Sequence, residues 1–241
     1  MLLNEITRVL VVVAHCDDAE WTFGGTVARL ADAGAAIDYL IVTDGASGGV
    51  DLSVTDGELA ATRAEEQRAA AKVLGVRNVT FLDYHNDELQ VSVDLKRDIV
   101  REIRRTRPDL ILTWTPYRNP DASIDWAHGD HLAVGEATLQ AAYPEALMPR
   151  IHPELTSEGL AAHAVREIWY PAMADADCYI DVSDVVETKM DAIWCHQSQN
   201  GEANGDRSWL FDQRVAPPMH DAGRYLAAAY AERFRRVVVG A

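Results

Sequence analysis

The chain has 241 residues, 48% hydrophobic and 25% charged, with a formal net charge of −16. That composition is globular, and the acidic balance argues against nucleic acid and anionic membrane surfaces as partners. Cys16, Cys178 and Cys195 form no closely spaced even framework, no apolar stretch is long enough to span a bilayer, and Met1 to Glu5 lack a basic leader, so a cytoplasmic chain with reduced thiols is expected.

Taken in order, residues 8–14 contain Val9-Leu10-Val11-Val12-Val13. So short and β-branched a run reads as a buried parallel strand. Residues 20–34 read as a helix closed by Gly34, and Gly24 and Gly25 within it imply close packing or a bent start. Residues 36–43 alternate as a strand and run into Asp44 to Gly49. That loop lacks the Lys-Ser/Thr of a P-loop and the full G-x-G-x-x-G spacing, so it reads as an active-site wall and not a nucleotide cradle. A helix over 57–74, closed by Gly75, precedes a strand over 78–82 and a helix over 92–107 stopped by Pro108. Asp109 to Trp114 is another apolar strand, followed by a helix from about 129 to 142. Strands near 166–170 and 178–182, a helix near 183–196 and a last helix at 220–235 complete the chain. No linker or repeat divides residues 1–241, so one domain is favoured. Repeated βα units imply an α/β fold with a Rossmann-like, mostly parallel sheet flanked by helices.

The chemistry concentrates at two places. Ala14-His15-Cys16-Asp17-Asp18-Ala19-Glu20 follows the first strand directly, and the carboxyl ends of strands are where open α/β sheets bind ligands. Adjacent Asp residues in a turn aim in different directions, so one can hold a metal while the other faces a water on it. An Asx turn with a helix N-cap is the competing reading. The second cluster is Trp126-Ala127-His128-Gly129-Asp130-His131. Spacing of i, i+3 puts His128 and His131 on one helical face, and Asp130 between them is placed to hydrogen-bond an imidazole. A solvated first helical turn is the competing reading there. Together, His15 and Asp18 supply two ligands and this segment a third, with one His to spare. Three protein ligands plus water is the pattern of a catalytic Zn²⁺, although such ligands also accept Fe²⁺, Mn²⁺ or Co²⁺. Arg63 and Glu66 lie on a helical face with Leu59, Thr62, Ala70 and Val73. They read either as an i, i+3 ion pair or as a substrate contact through Arg63.

These motifs in this order, with Gly24-Gly25-Thr26, Thr43-Asp44-Gly45, Arg63-x-x-Glu66, His196-Gln197-Ser198-Gln199 and Ala231-Glu232-Arg233-Phe234, resemble the LmbE-like (PIG-L) de-N-acetylase family. Its members are metal-dependent deacetylases of N-acetylglucosamine-type sugars. The resemblance implies His15, Asp18 and His131 as metal ligands and Asp17 as general base. It implies His128 as the group that polarises the amide or stabilises the oxyanion, with Asp130 orienting it. It favours substrate contact by Arg63, and by Asn86 with Asp87 beside it. Tyr117 or Trp126 is a candidate to stack on a sugar face. Gln199 to Pro218 resembles a covering loop, and His196 either lines the site or ends a helix. A homo-oligomer, trimer or hexamer, is also implied. Cys16 replaces the family's usual Pro, which frees φ and adds an N–H, and it reads as a packed small residue. Two alternatives remain: an amidase of a sugar–thiol conjugate, and a non-catalytic sugar- or nucleotide-binding module, whose first turn would be Gly-rich where this chain has His-Cys-Asp-Asp.

Overall fold

The computed structural model describes residues 3–49, 51–118, 127–172, 175–201 and 206–239. Strand β1 (Arg8–Val13) is its centre. It pairs in parallel with β2 (Ala36–Thr43) on one side and β4 (Leu110–Thr113) on the other. Beyond β2 lies β3 (Asn78–Tyr84), also parallel. Strand β5 (Glu167–Pro171) extends β4 in parallel. β7 (Ala231–Val238) then pairs antiparallel with β5 and with β6 (Cys178–Asp181), giving the order β3-β2-β1-β4-β5-β7-β6.

Successive side chains of a strand point to opposite faces, and β1 shows both faces covered. Val9, Val11 and Val13 pack with Phe23, Leu30, Met190 and Ile193 from α1 (Asp18–Asp32) and α6 (Val186–Trp194). α2 (Asp56–Val73) adds Ala70 and Ala71 to that layer. Leu10 and Val12 pack instead with Leu95, Ile99 and Val134 from α3 (Val93–Thr106) and α4 (Gly129–Gln140). Burial on both sides explains why β1 reads as an unbroken apolar run. Below α4, buried Arg104 donates to the carbonyls of Glu145, Ala146, Met148, Ile151 and His152, tying down the segment that enters α5 (Pro153–Ser157).

From β1 the chain runs outward to β2 and β3, then returns to β4 on β1's other side. The strand order reverses between β1 and β4, and such a switch point opens a crevice at the strands' carboxyl ends.

Two expectations need correction. The last helix expected at 220–235 is instead α9 (Ala216–Gly223) followed by strand β7. The Ala-rich stretch at 227–229 favours a helix locally, but pairing with two neighbouring strands overrides propensity. The described part of 199–218 is also largely helical. α7 (Gln197–Asn200) is followed, from 207 on, by α8 (Arg207–Leu210), which runs through one wide turn into α9.

The paired glycines of α1 have a packing cause. Glu232 of β7 reaches into the helix and accepts from the N–H groups of Gly25 and Thr26 and the Thr26 hydroxyl, at 2.9, 2.8 and 2.6 Å. Buried Lys189 of α6 donates to the same carboxylate at 2.6 Å. A Cβ on Gly25 would lie 2.7 Å from Val182 Cγ1 and 3.0 Å from Glu232 Oε1. Gly25→Ala is therefore expected to destabilise the protein by about 1–3 kcal/mol through overpacking, while Gly57→Ala, with nothing within 4 Å of its Cβ, should not. Thermal unfolding of the two variants checks this contrast, and equal melting temperatures would contradict it.

Candidate active site

The end of β1 carries two carboxylates with different surroundings. Asp17 sits at the N-terminus of α1 with φ +89° and makes no side-chain capping bond. A non-glycine residue in that region is strained by about 1–3 kcal/mol, so the turn is held from outside. Asp18 is turned inward. Its Oδ2 accepts from the His15 N–H and from Trp114 Nε1, each at 2.9 Å. His131 Nε2 lies 3.2 Å from Asp18 Oδ1, and His15 Nδ1 lies 3.5 Å from Oδ2. The two ring nitrogens, His15 Nδ1 and His131 Nε2, face each other at 3.2 Å.

His15, Asp18 and His131 thus converge on one point. His15 Nε2 meets Asp130 Oδ2 at 3.1 Å, which places its proton on Nε2 and leaves the Nδ1 lone pair aimed at the cluster. Ring nitrogens of His15, His128 and His131 all lie within 4.8 Å of one another. This donor set of imidazoles and a carboxylate suits a borderline divalent cation. The electrostatics agree: burial alone would keep His15 neutral, but the Asp18 and Asp130 carboxylates outweigh it and push its pKa up to about 10. The cluster therefore favours a positive charge, whether a proton or a metal ion. Burial likewise works against an ionised Asp18, yet His131 and His15 hold its carboxyl well below the usual range. His131 Nδ1 is buried and makes no hydrogen bond among the described residues. Its ring is oriented by stacking on Trp114, at 3.9 Å and 7°.

Asp17 differs in kind. Burial pushes its carboxyl up to about 6, against the Arg63 guanidinium and with a further push from Asp18. Arg63 Nη2 is 3.7 Å from Asp17 Oδ1. Arg63 is only 4% exposed and donates to two carbonyls, Gly45 O at 3.0 Å and Cys16 O at 2.8 Å. A Cβ on Gly48 would fall 2.2 Å from its Nη1, so the Gly-rich loop after β2 is shaped to admit this guanidinium. Glu66 is not its partner: it accepts from the Ser198 N–H and hydroxyl at 2.7 and 2.6 Å. Cys16 is buried, and desolvation pushes its thiol up to about 12. A protonated, packed thiol is a poor metal ligand.

His128 occupies the N-cap of α4, outside the helix proper, and its Nδ1 accepts from the Asp130 N–H at 3.2 Å. Its Nε2 meets Asp87 Oδ1 at 3.0 Å. The sequence leads one to expect the Asp130 carboxylate to orient His128, but among the described residues it is only the backbone N–H of Asp130 that bonds that ring. The carboxylate holds His15 and accepts from the backbone N–H groups of Asp87 and Leu89, because a residue two beyond the cap points back under the β3 loop. Asp87 takes the orienting place. Asn86 is buried and bonds Thr43, Ser47 and Asp87, so it braces the loop that carries Asp87. Tyr117 is 64% exposed against Tyr170, and Trp126 lies outside the described residues. Beside the cluster, a cavity of about 700 Å³ is lined by Asp18, His131, Trp21, Arg214, Pro218 and Met219 among others.

Residues that sequence reasoning passed over are Glu20, Gln67 and Trp114. Glu20 lies inside the motif after β1, and Gln67 extends the Arg63 stripe by one turn. A polar residue on a core-facing stripe was the available signal.

Fold and site together define an α/β enzyme with a His/Asp cluster suited to a metal ion at a sheet switch point. A family model described as "PIG-L: GlcNAc-PI de-N-acetylase" matches residues 10–142. The diacetylchitobiose deacetylase of Thermococcus kodakarensis is 32% identical over 81% of this chain and 71% of its own length. The structure of N,N'-diacetylchitobiose deacetylase from Pyrococcus horikoshii superposes with a TM-score of 0.88 at 26% identity, covering 98% of this chain and 85% of that one. GalB, the 4-carboxy-2-hydroxymuconate hydratase of Pseudomonas putida KT2440, shares the fold, with a TM-score of 0.78 at 22% identity over 98% of each chain. The chain belongs to the PIG-L family and is a deacetylase of the amidohydrolase type. No helix among the described residues is long and apolar enough to cross a membrane.

The contact between Asp130 and His15 yields a test. Asp130→Asn keeps the shape but removes the charge that fixes His15, and such partners typically govern metal affinity by about 10–100-fold. Competition with a chromogenic chelator should show a loss of that size. Unchanged affinity would mean that His15 is not a ligand.

Proposed function

We propose that this protein is a zinc-dependent de-N-acetylase of an N-acetylglucosamine-type sugar or glycoconjugate. The observation that carries the reading is the division of the Asp pair: Asp18 faces two imidazoles, and Asp17, one residue earlier, lies beside the Arg63 guanidinium with a raised pKa. His15, Asp18 and His131 would hold the ion. A divalent ion bound there supplies Lewis acidity to the amide carbonyl and acidifies a water.

The remaining steps belong to side chains. Asp17 accepts the proton of the attacking water at its carboxylate. A carboxyl pKa near 6 suits a base that must also give the proton back. It returns that proton to the amine nitrogen as the C–N bond breaks, so that water and amide become acetate and amine. His128 Nε2–H points at Asp87 in the resting site, and an amide oxygen drawn to the cluster competes for the same hydrogen. His128 then donates that hydrogen to the developing oxyanion. The two faces of the crevice differ. Asp87, Asn86 and Ser47 form a polar cluster suited to sugar hydroxyls, and the cavity past Asp18 and His131 has room for a substituent larger than a methyl group. A sugar–thiol conjugate would use the same chemistry with another aglycone. The relatives named as diacetylchitobiose deacetylases make that disaccharide the first substrate to try.

With zinc-loaded protein and N,N'-diacetylchitobiose, acetate release is expected. Asp17→Asn should keep zinc but lose about 10²-fold or more in kcat, whereas Asp18→Ala should lose zinc. The reverse pattern would exchange their roles. His128→Ala should retain zinc and lose about 10²–10³ in rate, more in kcat than in KM. Unchanged turnover would make His128 a bystander at a helix start.

A further inference from the structure

Asp17 holds an uncommon backbone conformation, φ +89°, and its surroundings show what keeps it there. The peptide unit joining Cys16 to Asp17 is gripped at both ends by α2. Its carbonyl, Cys16 O, accepts from Arg63 Nη2 at 2.8 Å. Its N–H, on Asp17, donates to Gln67 Oε1 at 2.9 Å. Arg63 and Gln67 are one helical turn apart, on one face of the same helix. With both ends held, the peptide plane cannot rotate, and that rotation is what would change φ of Asp17.

The grip is backed by a buried chain of bonds. Gln67 Nε2 donates to Glu20 Oε1 at 2.9 Å, and His196 Nε2 meets Glu20 Oε2 at 3.1 Å. Gln67, Glu20 and His196 are each 0% exposed. The direction of the chain is forced. A carboxylate only accepts, so the Gln67 amide must turn its nitrogen to Glu20 and its oxygen to Asp17 N–H. The flip that would break the grip would set oxygen against carboxylate. The hydrogen bonds that these three side chains make run to one another and to the Asp17 N–H, and not to the imidazole cluster or to Asp87.

We propose that Arg63 and Gln67 are positioning residues that clamp the Cys16–Asp17 peptide, with Glu20 and His196 fixing the Gln67 amide, so that the clamp sets kcat and leaves metal and substrate affinity alone. This assigns Arg63 to the backbone of the base instead of to the substrate. It rests on the reading of Asp17 as the general base.

The test uses Gln67→Leu, close in shape, in the zinc-loaded full chain. A loosened base is expected to lower kcat by about 10–100-fold, the scale of a small misplacement, with KM and zinc stoichiometry unchanged. Amide hydrogen exchange supplies a readout independent of activity: the Asp17 N–H should be protected in the wild type and exchange at least ~10-fold faster in Gln67→Leu. His196→Gln keeps a donor toward Glu20 and should preserve both kcat and protection, while His196→Leu should lose both. That second pair decides the matter if Gln67→Leu does not fold. Wild-type kcat in Gln67→Leu, or an unprotected Asp17 N–H in the wild type, would overturn the clamp. If the wild type releases no acetate from any N-acetyl sugar, the proposed function fails, and amide exchange still tests the clamp.

Discussion

Two neighbouring carboxylates sit at the end of the central strand, Asp18 buried and Asp17 partly so, and the rest of the site follows from keeping both there. An ionised carboxylate cannot be buried without partners. Asp18 is given imidazoles, a backbone N–H and the Trp114 indole, so its charge is stabilised. Asp17 has one guanidinium at 3.7 Å and a carboxylate next door, so its charge is weakly held. Environments that push two adjacent acids apart in this way suit them to different roles.

The architecture supplies those environments from separate pieces of chain. β1 delivers His15 to Asp18, and the reversal of strand order brings Trp114, His128 and His131 across the crevice. Asp130 then links the two halves through His15 and the β3 loop. Helix α2 stands behind the turn and grips its backbone. On the far side of α1, Glu232 and Lys189 fix the helix to β7 and α6, so the helix that presents Asp18 is anchored along its length. Gly25 is the residue that makes this approach sterically possible.

Much of this was legible in the sequence, for identifiable reasons. β1 declares itself because burial on two faces demands an unbroken apolar run. That His15, Asp18 and His131 come together was legible because the loops at the carboxyl ends of neighbouring parallel strands meet at the switch point. β7 was not, since an Ala-rich lead-in is locally helical and only pairing with β5 and β6 makes it a strand. The exchange of partners between Asp130 and Asp87 was equally hidden. It depends on the β3 loop bringing Asp87 to His128 Nε2 while Asp130 reaches His15, contacts between distant segments that no local pattern displays. Arg63 looked like a substrate group because an Arg on a buried stripe needs a reason, and its partners are backbone carbonyls that no sequence pattern displays.

Two groups of side chains here have the spacing to hold a cation: His15, His128 and His131, and Asp87, His128 and Asp130, the ligand atoms of each lying within 4.8 Å of one another. Anomalous scattering at the zinc edge from crystals of the zinc-loaded protein separates them. The account requires one strong peak at about 2.0–2.2 Å from nitrogen atoms of His15 and His131 and an oxygen of Asp18, with Asp17 outside bonding distance. A peak seated on Asp87 and Asp130, or one with Asp17 as a ligand, would contradict it.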